Sequence, residues 1–176
     1  MSKKIHKQHP TIGCCGIDCG LCPRYYTDGS SRCPGCGGNG FEEKHPSCSF
    51  ITCCVKKKGL EACGECDEYP CSKFDKETGR GDSFVLHRKM LPNQEFIKEN
   101  GLLSFLEQQK NRIAFLETAI GNYNDGRSKN LYCIAAALLS IEGLNQAISL
   151  AKQGESLKEV LVQIAETEGQ ELRLKK

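Results

Sequence analysis

A chain of 176 residues has room for one ordinary domain, or for a small metal-stapled domain joined to a helical one. Its formal net charge of +2 leaves no large basic surplus for a nucleic-acid footprint, and no run approaches the roughly 18 apolar residues of a membrane span. Twelve of the 13 cysteines lie between Cys14 and Cys71 with few large apolar residues among them, which excludes an ordinary hydrophobic core there and calls for a metal or disulfide framework.

Taken in chain order, residues 1–12 read as a flexible tail, and the His6/His9 pair in it has no helix signal around it. This basic start is followed by no apolar run of signal-peptide length, so the chain reads as cytoplasmic, where dense cysteines mean metal more often than disulfide. A cysteine-rich domain spans 13–82, punctuated by glycine and proline, with loops and short helices and little sheet. One short helix is expected over Cys48–Lys58, ended by Gly59, and another from Pro70. Residues 77–83, ETGRGDS, read as a turn-forming linker.

Residues 83–176 read as a helical bundle. Leu102, Phe105, Leu106, Ile113, Leu116 and Ile120 recur at mostly three- and four-residue steps and so share one helix face. The stretch Leu131–Leu139 is apolar almost all round and is predicted to be the most buried helix. Ser140 should cap a helix over Ile141–Lys152, and Ser156-Leu-Lys-Glu159 has the capping-box pattern of a last helix. The fold class predicted is therefore mainly α: a small loop-rich metal-stapled N-terminal domain packed on a C-terminal helical bundle.

Three CxxC pairs, Cys19/Cys22, Cys33/Cys36 and Cys63/Cys66, would close only tiny loops as disulfides, which constrain the unfolded chain little. A tight CxxC turn instead lets two thiolates reach one ion while turn amides point at the sulfurs. Cys33-Pro-Gly-Cys36-Gly reads as a zinc-knuckle turn, with glycine after the second cysteine for its positive φ. The candidate metal ligands are Cys15, Cys19, Cys22, Cys33, Cys36, Cys48, Cys53, Cys63, Cys66 and Cys71. The doublets Cys14/Cys15 and Cys53/Cys54 leave the ligating member open, with Cys15 and Cys53 favoured.

The series Cys15-Gly-x-x-Cys19-x-x-Cys22, Cys33-Pro-Gly-Cys36, Cys48 with Cys53, and Lys58-Gly-Leu-x-x-Cys63-Gly-x-Cys66-x-x-Tyr69-Pro-Cys71 resembles the prokaryotic family catalogued as domain of unknown function 3795. The resemblance extends into residues 123–129 and the helix after them, and it implies zinc binding with no established reaction.

The CxxxCxxC spacing of Cys15, Cys19 and Cys22 is also that of radical iron-sulfur enzymes, but those need a barrel of about 250 residues with alternating strands and helices. The chain beyond Cys22 is too short for that and reads as helices, so the radical-enzyme reading falls. An iron-sulfur cluster held without a barrel stays open as the alternative cofactor. Two or three zinc ions are expected, in closed structural sites, because a surplus of thiolates argues against the open position that catalysis needs.

The basic run Lys56-Lys-Lys58 suits a helix C-terminus better than a phosphate backbone. Residues 1–91 carry 14 Lys and Arg against 11 Asp and Glu, and eight thiolates on two zinc ions would turn that surplus negative, which argues against nucleic acid as a partner. Arg127 and Lys129 sit in what reads as an interhelical turn capped by Ser128 or Asp125, and Cys133 as a small buried hydrophobe. His45 and His87 read as surface residues, either of which could complete a site if one cysteine is unused.

The functional reading is a cytoplasmic zinc-binding protein whose metal is structural and whose role is to bind a protein or a small ligand, leaning away from an enzyme. An iron-sulfur redox protein or enzyme accessory, and a thiol-based metal or redox sensor, stand as alternatives.

Overall fold

The structure, a computed structural model, describes residues 6–45 and 48–176. It is mainly helical, 54% of it helix, with no strand among the described residues, which is the mainly α class that periodicity indicates. Two compact units divide inside helix α4 (Leu102–Tyr123): one runs through Leu106 and the other over Glu107–Lys175. The sequence boundary at residue 82 therefore lies well before the end of the first unit.

The first unit is loop-rich. Its helices α1 (Phe41–Lys44) and α2 (Ser49–Ile51) are short, and α2 runs on as a π-helical turn over Thr52–Lys57. Lys58 N–H reaches back to the Cys53 carbonyl at 3.1 Å, and Gly59 closes the turn with φ of 67°. The expected Cys48–Lys58 helix is thus present with a widened second half, which faces Cys54 inward and leaves Cys53 half-buried. No helix starts at Pro70: residues 71–79 form successive turns, in which Phe74 N–H bonds the Cys71 carbonyl at 2.9 Å.

Residues 77–83 do more than link. Asp82 is 6% exposed and its carboxylate accepts from the Arg88 guanidinium at 2.8 Å. His87 is 8% exposed, which corrects its reading as a surface residue.

Helix α3 (Met90–Asn100) belongs to this unit and clamps its loops with polar side chains. Asn93 donates to the Gly16 carbonyl at 2.9 Å and Gln94 to the Cys14 carbonyl at 2.8 Å, while the Gln94 carbonyl oxygen accepts from Gly64 N–H. Both side chains are buried, so these bonds satisfy backbone groups that water cannot reach. A small apolar core of Ile12, Ala62, Ile97 and Phe105 lies beneath.

The start of the chain is also part of this unit. Residues 1–5 lie outside the described residues, but Lys7 is 1% exposed and Ile12 fully buried, so the tail reading fails from Lys7 to Ile12. Lys7 N–H bonds the Gly37 carbonyl at 3.1 Å, and Gln8 and His9 N–H both donate to the Glu61 carboxylate at 2.9 Å. These backbone pairings over long sequence distance carry no periodic signal in the sequence.

The second unit is built from apolar helix faces. On α4 the buried residues are Phe105, Gln109, Phe115, Leu116 and Ala119: Phe105 and Leu116 of the predicted face are buried, while Ile113 and Ile120 are only half-buried. Helix α5 (Lys129–Leu138) buries Tyr132, Cys133 and Ala135–Ala137, in line with its all-round apolar sequence. Arg112 donates to the carbonyls of Ala136 (2.6 Å) and Leu139 (2.7 Å), a cation at the negative end of α5. Helix α6 spans Ile141–Lys152 with the Ser140 hydroxyl accepting Gly143 N–H at 2.9 Å, the predicted cap. Helix α7 (Leu157–Thr167) starts after Ser156 but without a bond to that side chain. The turn before α5 is a local affair: Asp125 accepts from Arg127 N–H (3.0 Å) and the Ser128 hydroxyl (2.5 Å), as its composition suggests. No helix among the described residues is long and apolar enough to cross a membrane.

Candidate metal centre

None of the thirteen cysteines forms a disulfide. Two of the CxxC pairs adopt the same turn. Cys19–Leu21 and Cys63–Glu65 are each one turn of 3-10 helix, closed by the N–H of Cys22 and of Cys66 on the carbonyl of Cys19 and of Cys63. In both, a tyrosine three residues on donates its N–H to the second cysteine's carbonyl at 2.9 Å, Tyr25 to Cys22 and Tyr69 to Cys66. The sequence explains the repetition, since both read Cys-Gly-x-Cys-x-x-Tyr. The third pair, Cys33-Pro-Gly-Cys36, is followed by Gly37 at φ 71°, the left-handed conformation expected of a knuckle.

These turns bring six predicted ligands, Cys15, Cys19, Cys22, Cys33, Cys36 and Cys48, around one cavity of about 300 Å3. Phe41, Phe84 and Val85 supply apolar wall, and Arg24 lies 4.9 Å over the Phe84 ring at the rim. His45 joins them. Its Nε2 is 3.4 Å from Cys33 Sγ, and its ring stacks on Phe41 with centroids 4.5 Å apart. Burial, together with the Arg24 charge, holds His45 below its ordinary pKa, so at neutral pH its ring is uncharged and has a lone pair to give.

Four further ligand candidates are placed differently. Cys63 packs in a buried cluster that contains Cys14, Cys54, Phe41 and Ile51, with Cys36 and Cys48 also against it. Cys53, Cys66 and Cys71 are half-buried and lie outside both the cavity wall and this cluster. Within each doublet the structure therefore uses both faces: Cys15 lines the cavity while Cys14 enters the buried cluster, and Cys54 rather than Cys53 joins it.

Among the described residues, no three of His, Cys, Asp and Glu already converge on one ion. Pairs do fit. Two thiolates on one zinc at the usual bond length stand roughly 3.8 Å apart, and a thiolate and an imidazole roughly 3.6 Å. The Cys36 and Cys14 sulfurs are 4.0 Å apart, and Cys33 and His45 are at the 3.4 Å already given. The donor set, soft thiols with one neutral imidazole, suits zinc or iron and not a hard oxygen-seeking cation.

Electrostatics favour the protonated thiols at this site. Burial pushes the Cys15 thiol up to about 12 and Cys19 well above its ordinary value. Cys36 is raised by its bond to Cys14 and then by burial. Cys22 is raised by burial, though the amides of Arg24 and Tyr25 point at its sulfur and oppose the rise. Deprotonating several such thiols together requires a cation in their midst.

The geometry on which the sequence resemblance rests is that of one segment, Ile12 to Phe74. Residues 11–76 match the family model of DUF3795, a protein family of unknown function. The match covers the cysteine turns, the cavity cysteines and Cys71, and it stops short of residues 123–129, into which the sequence resemblance extends. No curated protein and no solved structure matches the chain.

Sequence reasoning did not single out Lys7 or the α3 amides, left Cys14 and Cys54 open within their doublets, and held His45 only as a conditional ligand. For the two cysteines a signal existed, since each doublet offers one side chain to either face of its turn.

Proposed function

We propose that the DUF3795 segment is a zinc-binding module whose metal holds the loop-rich unit together, and that the protein acts by presenting this unit to a protein or a small ligand. The observation that carries the reading is the gathering of Cys15, Cys19, Cys22, Cys33, Cys36 and Cys48 with His45 on one cavity. Cys22, Cys33, Cys48 and His45 are the donors we assign to one tetrahedral ion, and Cys15, Cys19 and Cys36 remain for another. With all four positions of the first ion taken by protein donors its coordination is closed, which favours a structural metal there. The exposed rim, with Phe84 52% exposed under the Arg24 guanidinium, is where a partner would meet the module.

One observation favours a second reading. The cavity is roomier than a single ion needs, and the CxxxCxxC cysteines Cys15, Cys19 and Cys22 all face it, as an iron-sulfur cluster would require.

Elemental analysis and an absorption spectrum of protein purified without added metal and without air separate the two. Two or three zinc ions per chain and no visible absorption support the zinc module. Iron with acid-labile sulfide and a brown colour replaces it with the cluster. A metal-free, folded protein overturns both.

A further inference from the structure

Lys7 is the most unusual buried side chain of the first unit. Its ammonium donates to the Ile12 carbonyl, and its stem covers Gly37, where a side chain at the glycine would come within 2.8 Å of Lys7 Cγ. At 1% exposure a lysine loses nearly all of its hydration, and it stays charged only beside negative charge. Glu61 is one such neighbour, although its carboxylate is shared with the Gln8 and His9 amides. The stem of Lys7 runs over Gly37, next in sequence to Cys36, and Lys7 N–H bonds the Gly37 carbonyl at 3.1 Å, so the lysine is anchored beside the Cys36 turn.

The cysteines near Lys7 form an inner row. Cys36 Sγ lies 4.0 Å from Cys14 Sγ, and Cys14 and Cys54 belong to one buried cluster against which Cys36 and Cys63 both pack. Cys14 is 1% and Cys54 2% exposed, so both are deeper than the cysteines of the cavity wall. The row is held in place from the backbone. The Cys14 carbonyl accepts from Cys63 N–H at 3.0 Å and from Gln94, and the widened turn before Gly59 is what carries Cys54 inward.

Four neutral thiols would leave Lys7 beside no new negative charge. A divalent ion held by four thiolates carries two net negative charges, and a buried lysine at its side offsets one of them.

We infer that Cys14, Cys36, Cys54 and Cys63 form a second, inner site for a thiolate-bound divalent metal, with Lys7 as its built-in counter-cation and Cys36 as the position shared with the cavity. Each thiol gives its proton to solvent as its bond to the metal forms, and no electron is transferred. Neither Cys14 nor Cys54 lies in the ligand set that spacing alone favours. The inference rests on the reading of the segment as a metal module, and adds a site to it.

The test uses the full chain, purified without added metal, with metal counted per chain and helical content checked by circular dichroism. Cys54→Ser and Cys54→Ala should each lose about one ion while the ion that depends on Cys33 stays. Lys7→Met, which keeps the apolar stem, should surrender its inner ion to a competing chelator about tenfold more readily than the parent protein. Cys54 variants that hold the parent's metal count overturn the inner site. A Lys7→Met protein that competes like the parent overturns the role of Lys7, and if the Cys54 variants fail to fold, that competition alone decides: a tenfold shift upholds the site and no shift overturns it. A parent protein with no metal overturns this inference together with the metal module. Loss of metal in Cys33→Ser but not in the Cys54 variants overturns the inner site alone.

Discussion

In the unit that ends at Leu106 the buried residues include Lys7, Cys14, Cys22, Cys54, Asn93 and Gln94; in the unit from Glu107 they are mostly leucine, alanine and valine on helix faces. The second unit is assembled by the stripes that its sequence shows, and each helix brings its own backbone hydrogen bonds. The first has few such helices, so its backbone groups are satisfied in short turns, by backbone partners in other loops, and by distant side chains such as Glu61, Asn93 and Gln94. Burial there is polar and sulfur-rich, and it needs partners to be stable. A metal ion would supply several at once, which is why removing a ligand should act on one unit and removing a core leucine on the other.

The largest effect expected is that of Cys36→Ser. Cys36 lies both on the cavity wall and against the buried sulfur cluster, so its loss takes a donor from the second cavity ion and from the inner site at once. With structural zinc contributing on the order of 10 kcal/mol to small metal domains, the first unit should lose most of its metal and its hydrogen-exchange protection. Amides of α5 to α7 should keep theirs. Exchange measured by mass spectrometry reads both in one sample, and equal loss in the two units would erase the distinction drawn between them.

Leu161→Ala is the mirror experiment. Leu161 is fully buried in α7, and truncation should cost about 2–5 kcal/mol in a denaturant melt with the metal count unchanged. Gln94→Ala should come next, at about 2–3 kcal/mol, because it strands the buried Gly64 N–H and takes a donor from the Cys14 backbone carbonyl while leaving every thiol in place. Its effect should appear in exchange of the first unit only. A shift in α6 or α7 amides instead would show that the two units do not answer separately.

Legibility divides along the same line. Helix α6 could be read to the residue, because Ser140 followed by an amphipathic run is a local signal. The CxxC turns were legible too, since Gly37 and the repeated Cys-Gly-x-Cys-x-x-Tyr act within a few residues of each other. Lys7 was not, and neither was the clamp of α3. Gln94 and Cys14 are 80 residues apart, and a buried amide has no periodicity that marks its partner. His45 reads as an ordinary surface residue until the fold sets it against Cys33. The Pro70 helix failed because a proline that suits a first helical turn suits a loop equally well.

The smallest effect belongs to the turn before α5, and its sign can be worked out. Lys158, then the Ser128 hydroxyl and the Arg127 N–H, hold the Asp125 carboxyl well below the usual carboxylate range. A carboxylate with a depressed folded pKa adds stability above its unfolded value, about 3.9, and that contribution fades as pH falls toward the folded value. Asp125→Asn should therefore melt slightly below the parent at pH 7, and the gap should close as pH falls from about 5 toward 2. Because Asp125 and Lys158 are both exposed, the gap at pH 7 should be small and should shrink in high salt. The first unit should not register the change: metal content at pH 7 is expected to match the parent's. A melting gap that widened on acidification would mean that the turn is held by something other than the Asp125 carboxylate.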